Sequence, residues 1–291
     1  MRMRSLFLPF PALVVLLASC GAYGDGAPTE SDLLEQSEPI VGGQSDSGHD
    51  PAVVAIDLGS KGLCTGTLIA PRAVLTARHC VSYTLPDLEC PSWSAQISKD
   101  RSPASLAIRV GNDTKTAPVV AHGQELVVPP DDVLCDQDIA VVILDREVLG
   151  VPPIAVDLKG SVKFGDRLRV VGFGQRGDTV AAGKKFTRNN VRVLQASPAE
   201  FWVGESVCAG DSGGPALDSA TGAVRGVVSR GAESCEGKEA LNVYTRTDAF
   251  AKLIRSALDK AKSLPSAVAC GPGHRCPNGY HCGASHHCEK K

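Results

Sequence analysis

A serine within a run of small residues is the most informative chemical feature of the sequence. Ser212 lies in residues 210–215, which read Gly-Asp-Ser-Gly-Gly-Pro. Small neighbours allow a substrate carbonyl to approach the Oγ atom of Ser212. A tight turn can also direct the backbone N–H groups of Gly210 and Ser212 at one point, where a developing oxyanion would lie. The motif therefore predicts a serine nucleophile with an oxyanion hole.

A serine hydroxyl is a weak nucleophile at neutral pH, so it needs a base, and the base needs an orienting group. His79 lies in the run Leu-Thr-Ala-Arg-His-Cys and is the candidate general base and, later, general acid. Asp138 opens the apolar run Asp-Ile-Ala-Val-Val. We expect Asp138 to hold the imidazole in the correct tautomer and to stabilise the imidazolium.

The order His79, Asp138, Ser212, with each residue in its own motif, resembles the trypsin/chymotrypsin-like serine proteases. Residues 40–43, Ile-Val-Gly-Gly, look like the mature N-terminus of that family. The resemblance covers about residues 40–263. It implies two antiparallel β-barrels with the active site in the cleft between them. The first barrel would supply the histidine and the aspartate, and the second would supply the serine.

The resemblance also assigns supporting roles. Asp211 matches the aspartate that pairs with the new α-amine of the mature chain, and Ile40 would supply that amine. Pro39 departs from the Arg or Lys of most zymogens, so a trypsin-like activator is not expected to cut here. Ser229 matches a serine that hydrogen-bonds the triad aspartate. Arg78 replaces a small residue, and a cation beside the imidazole would lower the pKa of the histidine.

Four residues match the specificity pocket of the family, and their types favour an uncharged substrate side chain. Ser206 matches the pocket base, where trypsin-like members carry an aspartate. Gly231 matches a wall glycine, Asn242 replaces a second one and should narrow the pocket, and Val207 adds apolar surface. We therefore expect cleavage after small or medium uncharged residues. Glu205 and Asn242 keep a polar preference as the alternative. Arg230 replaces an expected tryptophan along the substrate-binding edge, which would favour acidic residues further upstream in the substrate.

The N-terminus reads as an export signal. Two arginines precede an apolar stretch, residues 6–18, which is too short to span a membrane comfortably. It ends in Leu-Ala-Ser-Cys, which looks like a bacterial lipobox with Cys20 as the lipidated residue. We predict a signal peptide over residues 1–19 and a lipid-anchored tether or propeptide over residues 20–39. The alternative is an ordinary signal peptide with an incidental cysteine.

This arrangement places the protein in the bacterial cell envelope. The tether is rich in Gly, Ser, Pro and acidic residues, a composition typical of a flexible, solvated segment. No cysteine lies between Cys20 and Ile40 to hold the pieces together after cleavage. Cutting before Ile40 would therefore release the protein from the membrane into the extracellular space.

The sequence contains 11 cysteines, an odd number, so ten can pair if one carries lipid. The predicted pairs in the catalytic region are Cys64–Cys80, Cys208–Cys235 and Cys90–Cys135. The first two match family bridges that brace the histidine loop and cross the walls of the specificity pocket. The third pair joins the two cysteines left over in this region.

A cysteine-rich tail, residues 264–291, lies outside the resemblance. Its cysteines recur every six residues, at Cys270, Cys276, Cys282 and Cys288. So short a segment cannot build a core, so we predict a small module stapled by disulfides. Four of the seven histidines also lie here, which keeps zinc binding as the alternative. Because the protein is predicted to be exported, we expect these cysteines to form disulfides rather than a zinc site.

Short apolar runs separated by Gly, Pro and Asp indicate an all-β fold. The predicted strands are residues 53–58, 63–69, 73–76, 139–144, 167–171 and 225–229. Residues 150–153, Gly-Val-Pro-Pro, are a plausible connector between two β units. Apolar residues from Phe250 to Ala261 follow helical spacing and predict a C-terminal helix, capped by Thr247 or Asp248.

The composition allows a sizeable core and does not point to nucleic acid as a partner. The chain has 291 residues, 43% of them hydrophobic, and a formal net charge of −2, which carries no nucleic-acid signature. We predict a monomeric serine endopeptidase that hydrolyses proteins or peptides through an acyl-enzyme, without cofactor or metal. A catalytically silent, membrane-anchored binding protein is the alternative, favoured by Pro39 and Arg78. An esterase would use the same chemistry on another acyl substrate.

Overall fold

A computed structural model describes residues 43–85, 90, 96–231, 234–235, 241–264, 280–282 and 288–290. The predicted signal peptide, the lipidation site Cys20, the tether, Pro39 and Ile40 lie outside the described residues. Within the described ranges, no helix has the length and the apolar character needed to cross a bilayer.

The described residues form mostly strands. The first half contains β1 (Gln44–Ser45), β2 (Val53–Asp57), β3 (Leu63–Ala70), β4 (Ala73–Thr76), α1 (Arg78–Val81), β5 (Ser82–Thr84), β6 (Ile97–Asp100), β7 (Ala107–Arg109), β8 (Val119–Val127) and β9 (Ala140–Leu144). The second half contains β10 (Arg167–Gly172), β11 (Phe186–Ala196), β12 (Glu200–Val203), β13 (Pro215–Asp218), β14 (Val224–Arg230), β15 (Asn242–Arg246), α2 (Ala251–Ser263), β16 (Tyr280–Cys282) and β17 (Cys288–Lys290). Two short 3-10 helices lie at Gly59–Lys61 and Pro103–Ser105.

The first barrel is closed by six antiparallel strands in the order β2-β3-β4-β9-β8-β7. Its interior is filled mainly by Val, Leu, Ile and Ala side chains. Strand β9 is buried along its whole length, as its continuous apolar run predicted, and α2 packs against it. Histidine 79 lies on α1, directly after β4, so the barrel places it at one rim.

The second barrel uses the order β11-β10-β13-β14-β15-β12, and an additional pairing of β11 with β12 closes it. Strand β1 adds to the outer edge of β11. Phe201 and Tyr244 stack inside this barrel with ring centroids 5.0 Å apart. The fold is therefore the predicted pair of antiparallel β-barrels, which is the chymotrypsin-like fold.

The connector and the C-terminal helix occupy the predicted places. Residues 150–153 lie between the last strand of the first barrel and the first long strand of the second. Helix α2 buries Ile254, Ala257 and Ala261, which share one face. The predicted cap was wrong, because the helix begins after Phe250 without a side-chain cap. The Thr247 hydroxyl instead lies 2.8 Å from the carbonyl oxygen of Asp157, between the two barrels, and 3.2 Å from that of Val224 on β14.

The tail is described only in part. Strands β16 and β17 pair as a small antiparallel hairpin. Cys282 is disulfide-bonded, as a stapled module requires. Cys270 and Cys276 lie outside the described residues, so the connectivity of the module stays a prediction.

Candidate active site

The loop that carries Ser212 joins β12 to β13 and is pressed against the first barrel. Gly213 has φ +82°, and a Cβ atom there would lie 2.0 Å from Thr76 Oγ1 and 2.3 Å from the Thr65 carbonyl oxygen. The sequence suggested that small residues make room for substrate. At this position the reason is different, because the glycine lets the loop touch the other barrel.

Thr65, on strand β3, binds this loop from the first barrel. Its backbone N–H donates to the Ser212 carbonyl oxygen at 2.8 Å, and its hydroxyl donates to the Gly210 carbonyl oxygen at 2.8 Å. The same hydroxyl oxygen accepts the N–H of Phe173, which lies just after β10. Thr65 is fully buried, so these hydrogen bonds form away from water. One residue thus fixes both carbonyl groups that flank the predicted oxyanion hole.

The hydrogen bonds of the loop leave two donors free. Among the described residues, no acceptor is paired with the backbone N–H of Gly210 or of Ser212. Gly210 adopts φ +100°, which a residue with a side chain rarely adopts. The two N–H groups predicted to form the oxyanion hole are therefore available to a ligand oxygen.

His79 and Asp138 are in contact, as the sequence predicted for a base and its orienting group. The Nδ1–H of His79 donates to Asp138 Oδ2 at 2.8 Å, and the His79 backbone N–H donates to Oδ1 at 3.0 Å. A carboxylate only accepts, so the proton of a neutral imidazole lies on Nδ1 and Nε2 is left as an acceptor. Ser229 Oγ donates to Asp138 Oδ2 at 2.7 Å, from β14 of the second barrel.

Two opposing effects set the protonation of this pair. Burial lowers the pKa of His79, but the charge of Asp138 and its hydrogen bond outweigh burial, so the pKa is raised. Burial also raises the pKa of Asp138, yet the imidazole and the hydrogen bonds from His79 and Ser229 hold that pKa below its usual value. The aspartate is therefore ionised at neutral pH and stabilises a positive charge on the imidazole.

Ser212 lies beside this pair without a hydrogen bond to it. The Sγ of Cys80, which follows His79, is 3.5 Å from the Ser212 carbonyl oxygen. In the described structure, no hydrogen bond joins Ser212 Oγ to His79 Nε2. Catalytic hydrogen bonds are often long in the absence of substrate and shorten in the complex. Two of the three predicted residues, His79 and Asp138, are thus in direct contact, and the Ser212 loop meets the first barrel next to them at Thr65 and Cys80.

Arg78 is buried, which the sequence could not decide. Its Nη2 donates to Asp100 Oδ1 at 2.9 Å, and only 5% of its side chain is exposed. Its charge is therefore neutralised locally. The cation that lowers the pKa of His79 is instead Arg101, whose guanidinium stacks on the ring of Tyr83.

Asp211 is a buried carboxylate with backbone partners. It accepts the N–H of Gly174 at 2.7 Å and the N–H of Cys208 at 3.0 Å. Among the residues that the structure describes, no cation pairs with it. Burial raises the pKa of Asp211 to about 7. A positive charge beside it would therefore favour its ionised form strongly.

A cavity of about 360 Å³ adjoins Ser212, and it contains three of the four predicted pocket residues. Its described walls are Gln175, Asp178, Val207, Cys208, Ala209, Ser212, Val228, Ser229, Arg230, Gly231, Cys235 and Asn242. Ser206 was expected at the base, but it is fully buried behind Asn242 and does not line the cavity. The Ser206 hydroxyl donates to the side-chain oxygen Oδ1 of Asn242 at 3.1 Å and so faces Asn242 rather than the cavity.

The neighbouring wall carries an ion pair that the sequence did not reveal. Arg230 Nη1 and Nη2 donate to the two carboxylate oxygens of Glu200, at 2.5 and 2.7 Å. Glu200 is buried on β12, far from Arg230 in the chain. Because its charge is balanced, Arg230 offers little attraction to acidic residues of a substrate.

The three predicted bridges of the catalytic region are present. They are Cys64–Cys80, Cys90–Cys135 and Cys208–Cys235. The first lies beside His79, and its two sulfurs and the imidazole are close enough to suggest a metal site. Both sulfurs are already bonded to each other, so they are not thiolates and cannot ligate a metal in that state.

Comparisons with known proteins agree with this geometry. The Trypsin family matches residues 40–254. Granzyme M of Rattus norvegicus is 24% identical over 250 residues, covering 78% of this chain and 92% of the relative. The CLIP domain-containing serine protease HP8 of Bombyx mori is 27% identical over 270 residues, covering 78% of this chain and 71% of the relative. The structure of neuropsin, a serine protease expressed in the limbic system of mouse brain, aligns with TM-score 0.58 and 19% identity, covering 75% of this chain and 98% of that one.

Replacing Asp138 by Asn should lower the pKa of His79. In the native protein this pKa is raised above the usual value for histidine, so the imidazole loses its proton at a higher pH than a free histidine does. Without the carboxylate charge, burial and Arg101 should hold the pKa below that usual value. NMR titration, with the signal assigned through a His79→Gln variant, measures both values. Ser229→Ala is the control, because it keeps the carboxylate charge and should leave the pKa raised. An unchanged pKa in Asp138→Asn would contradict this account.

Replacing Thr65 by Val should destabilise the protein by about 2–4 kcal/mol, because the Gly210 carbonyl and the Phe173 N–H would be buried without partners. Thr65→Ser keeps the hydroxyl and loses one methyl group, so about 1 kcal/mol is expected. Urea denaturation of both variants measures the difference. Equal stability of the two variants would show that the hydroxyl does not hold the loop.

Proposed function

Because the chain belongs to the trypsin family, we propose that it is a serine endopeptidase that cleaves protein or peptide substrates through an acyl-enzyme. The observation that carries the proposal is the polarised imidazole. His79 Nδ1 is held by Asp138, so Nε2 is left to accept a proton beside Ser212. Two unpaired backbone N–H groups lie next to the same serine. No cofactor or metal is required for this chemistry.

In the proposed reaction, Ser212 Oγ attacks the scissile carbonyl carbon while its proton passes to His79 Nε2. The carbonyl oxygen gains negative charge and is stabilised by the N–H groups of Gly210 and Ser212. His79 then gives the proton to the leaving amine, which breaks the peptide bond and leaves an ester on Ser212. A water molecule, deprotonated by the same imidazole, hydrolyses the ester and restores the hydroxyl.

Asp138 favours the proposed transfer of the proton to and from His79. The imidazolium that forms after attack is paired with a carboxylate whose pKa is held low, so the carboxylate does not take the proton itself. Ser229 and the His79 backbone N–H fill other acceptor positions of the carboxylate. Removing one oxyanion donor typically lowers the rate by about 10²–10³-fold, so the backbone N–H groups of Gly210 and Ser212 would contribute strongly to the proposed reaction.

Activation by a free Ile40 amine is part of the proposal. Asp211 is buried with two backbone partners, and a cation would compensate its charge. The family match begins at residue 40, in agreement with a mature chain that starts there. Pro39 calls for an activating protease other than a trypsin-like one, or for trimming after an earlier cut.

We further propose that the protein is exported and anchored by lipid on Cys20 until it is processed. The disulfides of the catalytic region are typical of proteins that fold in an oxidising compartment. The lipobox-like sequence before Cys20 supports the anchor. Cleavage before Ile40 would separate the protease, as a monomer, from its anchor.

A serine-reactive phosphonate tests the function. Protein processed to a free Ile40 N-terminus should be labelled on Ser212, with labelling that increases as the pH rises through the pKa of His79, because the base must be neutral. Ser212→Ala should abolish labelling and keep the unfolding midpoint of the parent protein. Mass spectrometry of the modified peptide measures the result.

The full-length chain serves as the second control, since its Asp211 has no free Ile40 amine to pair with. We expect it to be labelled at least tenfold more slowly than the processed chain. Processed protein that resists labelling would overturn the proposal and leave a binding protein on the protease fold as the better reading. Equal labelling of both chains would contradict the activation step alone.

A further inference from the structure

We propose that Asn242 determines specificity in the cavity beside Ser212, and that its amide selects a carboxamide side chain, Gln or Asn, on the acyl side of the cleaved bond. This inference rests on the proposed function and names its substrate class more closely. It starts from the unexpected position of Ser206 behind Asn242.

The orientation of the Asn242 amide follows from its partners. Asn242 Oδ1 accepts the backbone N–H of Ser206 at 2.7 Å, the Ser206 hydroxyl at 3.1 Å and the backbone N–H of Val207 at 3.2 Å. Backbone N–H groups only donate, so the atom that faces them must be the oxygen. The Nδ2 group therefore points the other way, towards the cavity.

Gly231 locates Nδ2 on the cavity side. A Cβ atom built on Gly231 would lie 2.4 Å from Asn242 Nδ2, and both residues line the cavity. The amide thus fills the space between the two predicted pocket walls and forms a floor in front of Ser206. The amide hydrogens of Asn242 are therefore presented to a substrate side chain that reaches this floor.

The Nδ2 group has no partner in the described part of the chain. Asn242 is only 4% exposed, yet no described acceptor is hydrogen-bonded to Nδ2. A substrate side chain that covers this donor removes it from water, so a side chain that supplies an acceptor at this point is favoured over one that does not. The Asn242 amide therefore favours a substrate side chain that ends in a carbonyl oxygen, which can accept a hydrogen bond from Nδ2.

The charges around the cavity decide between neutral and ionised side chains. Asp178 lines the cavity and accepts the Ser234 hydroxyl at 2.7 Å and the Cys235 N–H at 2.8 Å. Its negative charge disfavours a substrate carboxylate, and Arg230 does not compensate because it is paired with Glu200. A lysine or arginine side chain carries only donors, so it would leave the floor amide unpaired.

A carboxamide satisfies both features. Its carbonyl oxygen can accept from Asn242 Nδ2, and its own N–H groups can donate to Asp178, since a carboxylate has more lone pairs than the two it already uses. An alkyl or thioether side chain of the same length does neither. The cavity therefore distinguishes glutamine from methionine by hydrogen bonding rather than by size.

Matched peptide substrates test the preference. The panel differs only in the residue before the cleaved bond, with Gln, Glu, Met and Lys in one set and Asn, Asp and Leu in a second. For the processed enzyme we expect kcat/KM of the Gln or Asn peptide to exceed that of the others in its set by about tenfold. A Met, Leu or Lys peptide that is cleaved as well as the carboxamide peptide would overturn the inference.

The Asn242→Asp variant replaces the hydrogen-bond donor at the cavity floor by a negatively charged acceptor of the same shape. One carboxylate oxygen still accepts from Ser206 and Val207, and the other presents an acceptor in place of Nδ2. We expect the ratio of Lys to Gln cleavage to rise by at least tenfold. An unchanged ratio would show that residue 242 does not select the substrate.

A binding measurement separates this inference from the proposed function. Peptides that end in Gln or Met are titrated calorimetrically into the processed Ser212→Ala protein, where no chemistry occurs. About tenfold tighter binding of the Gln peptide supports the inference, even if phosphonate labelling of the unmutated protein fails. Labelling of Ser212 without any difference between the two peptides supports the protease and overturns the role of Asn242.

Discussion

The position of the nucleophile depends on how one buried threonine of the first barrel holds a loop of the second. Thr65 donates to carbonyls on both sides of Asp211 and accepts the N–H of Phe173. Gly213 makes this contact possible, because any side chain there would collide with the first barrel. The two barrels are therefore joined at the same point where the chemistry is proposed. A change that loosens this contact acts on stability and on the oxyanion hole together.

The second constraint is the burial of charge at this junction. Asp138, Asp211 and Arg78 are all buried, and each has polar partners that compensate the burial of its charge. Asp138 has His79 and Ser229, and Arg78 has Asp100. Burial raises the pKa of Asp211 to about 7, although two backbone N–H donors act to lower it. This difference would give a physical reason for the proposed activation by a new amine.

The cavity beside Ser212 combines walls that match the family pattern with a floor formed by a different residue. The disulfide Cys208–Cys235 and Gly231 keep the walls, while Asn242 moves the floor forward and hides Ser206. In the proposed substrate complex, this side chain on β15 would decide which group faces the substrate. From its position in the sequence, Ser206 was expected to form this floor.

Much of the fold and the site was determined by the sequence alone. The alternation of short apolar runs with Gly, Pro and Asp indicated strands, and the spacing from Phe250 to Ala261 indicated the final helix. Local motifs marked Ser212, His79 and Asp138, because their chemistry constrains the residues beside them in the chain. The predicted cap of the C-terminal helix was wrong, because the Thr247 hydroxyl is hydrogen-bonded to the backbone of residues far away in the chain, Asp157 and Val224.

Only the tertiary structure decided which partners these groups have. The pairing of Arg78 with Asp100, the ion pair of Arg230 with Glu200 and the amide floor of Asn242 each join residues that no local pattern connects. Burial and hydrogen-bond orientation depend on the packing of two barrels, which a linear sequence does not state. The sequence thus determined which groups are present for catalysis, and the packing determined what each group faces.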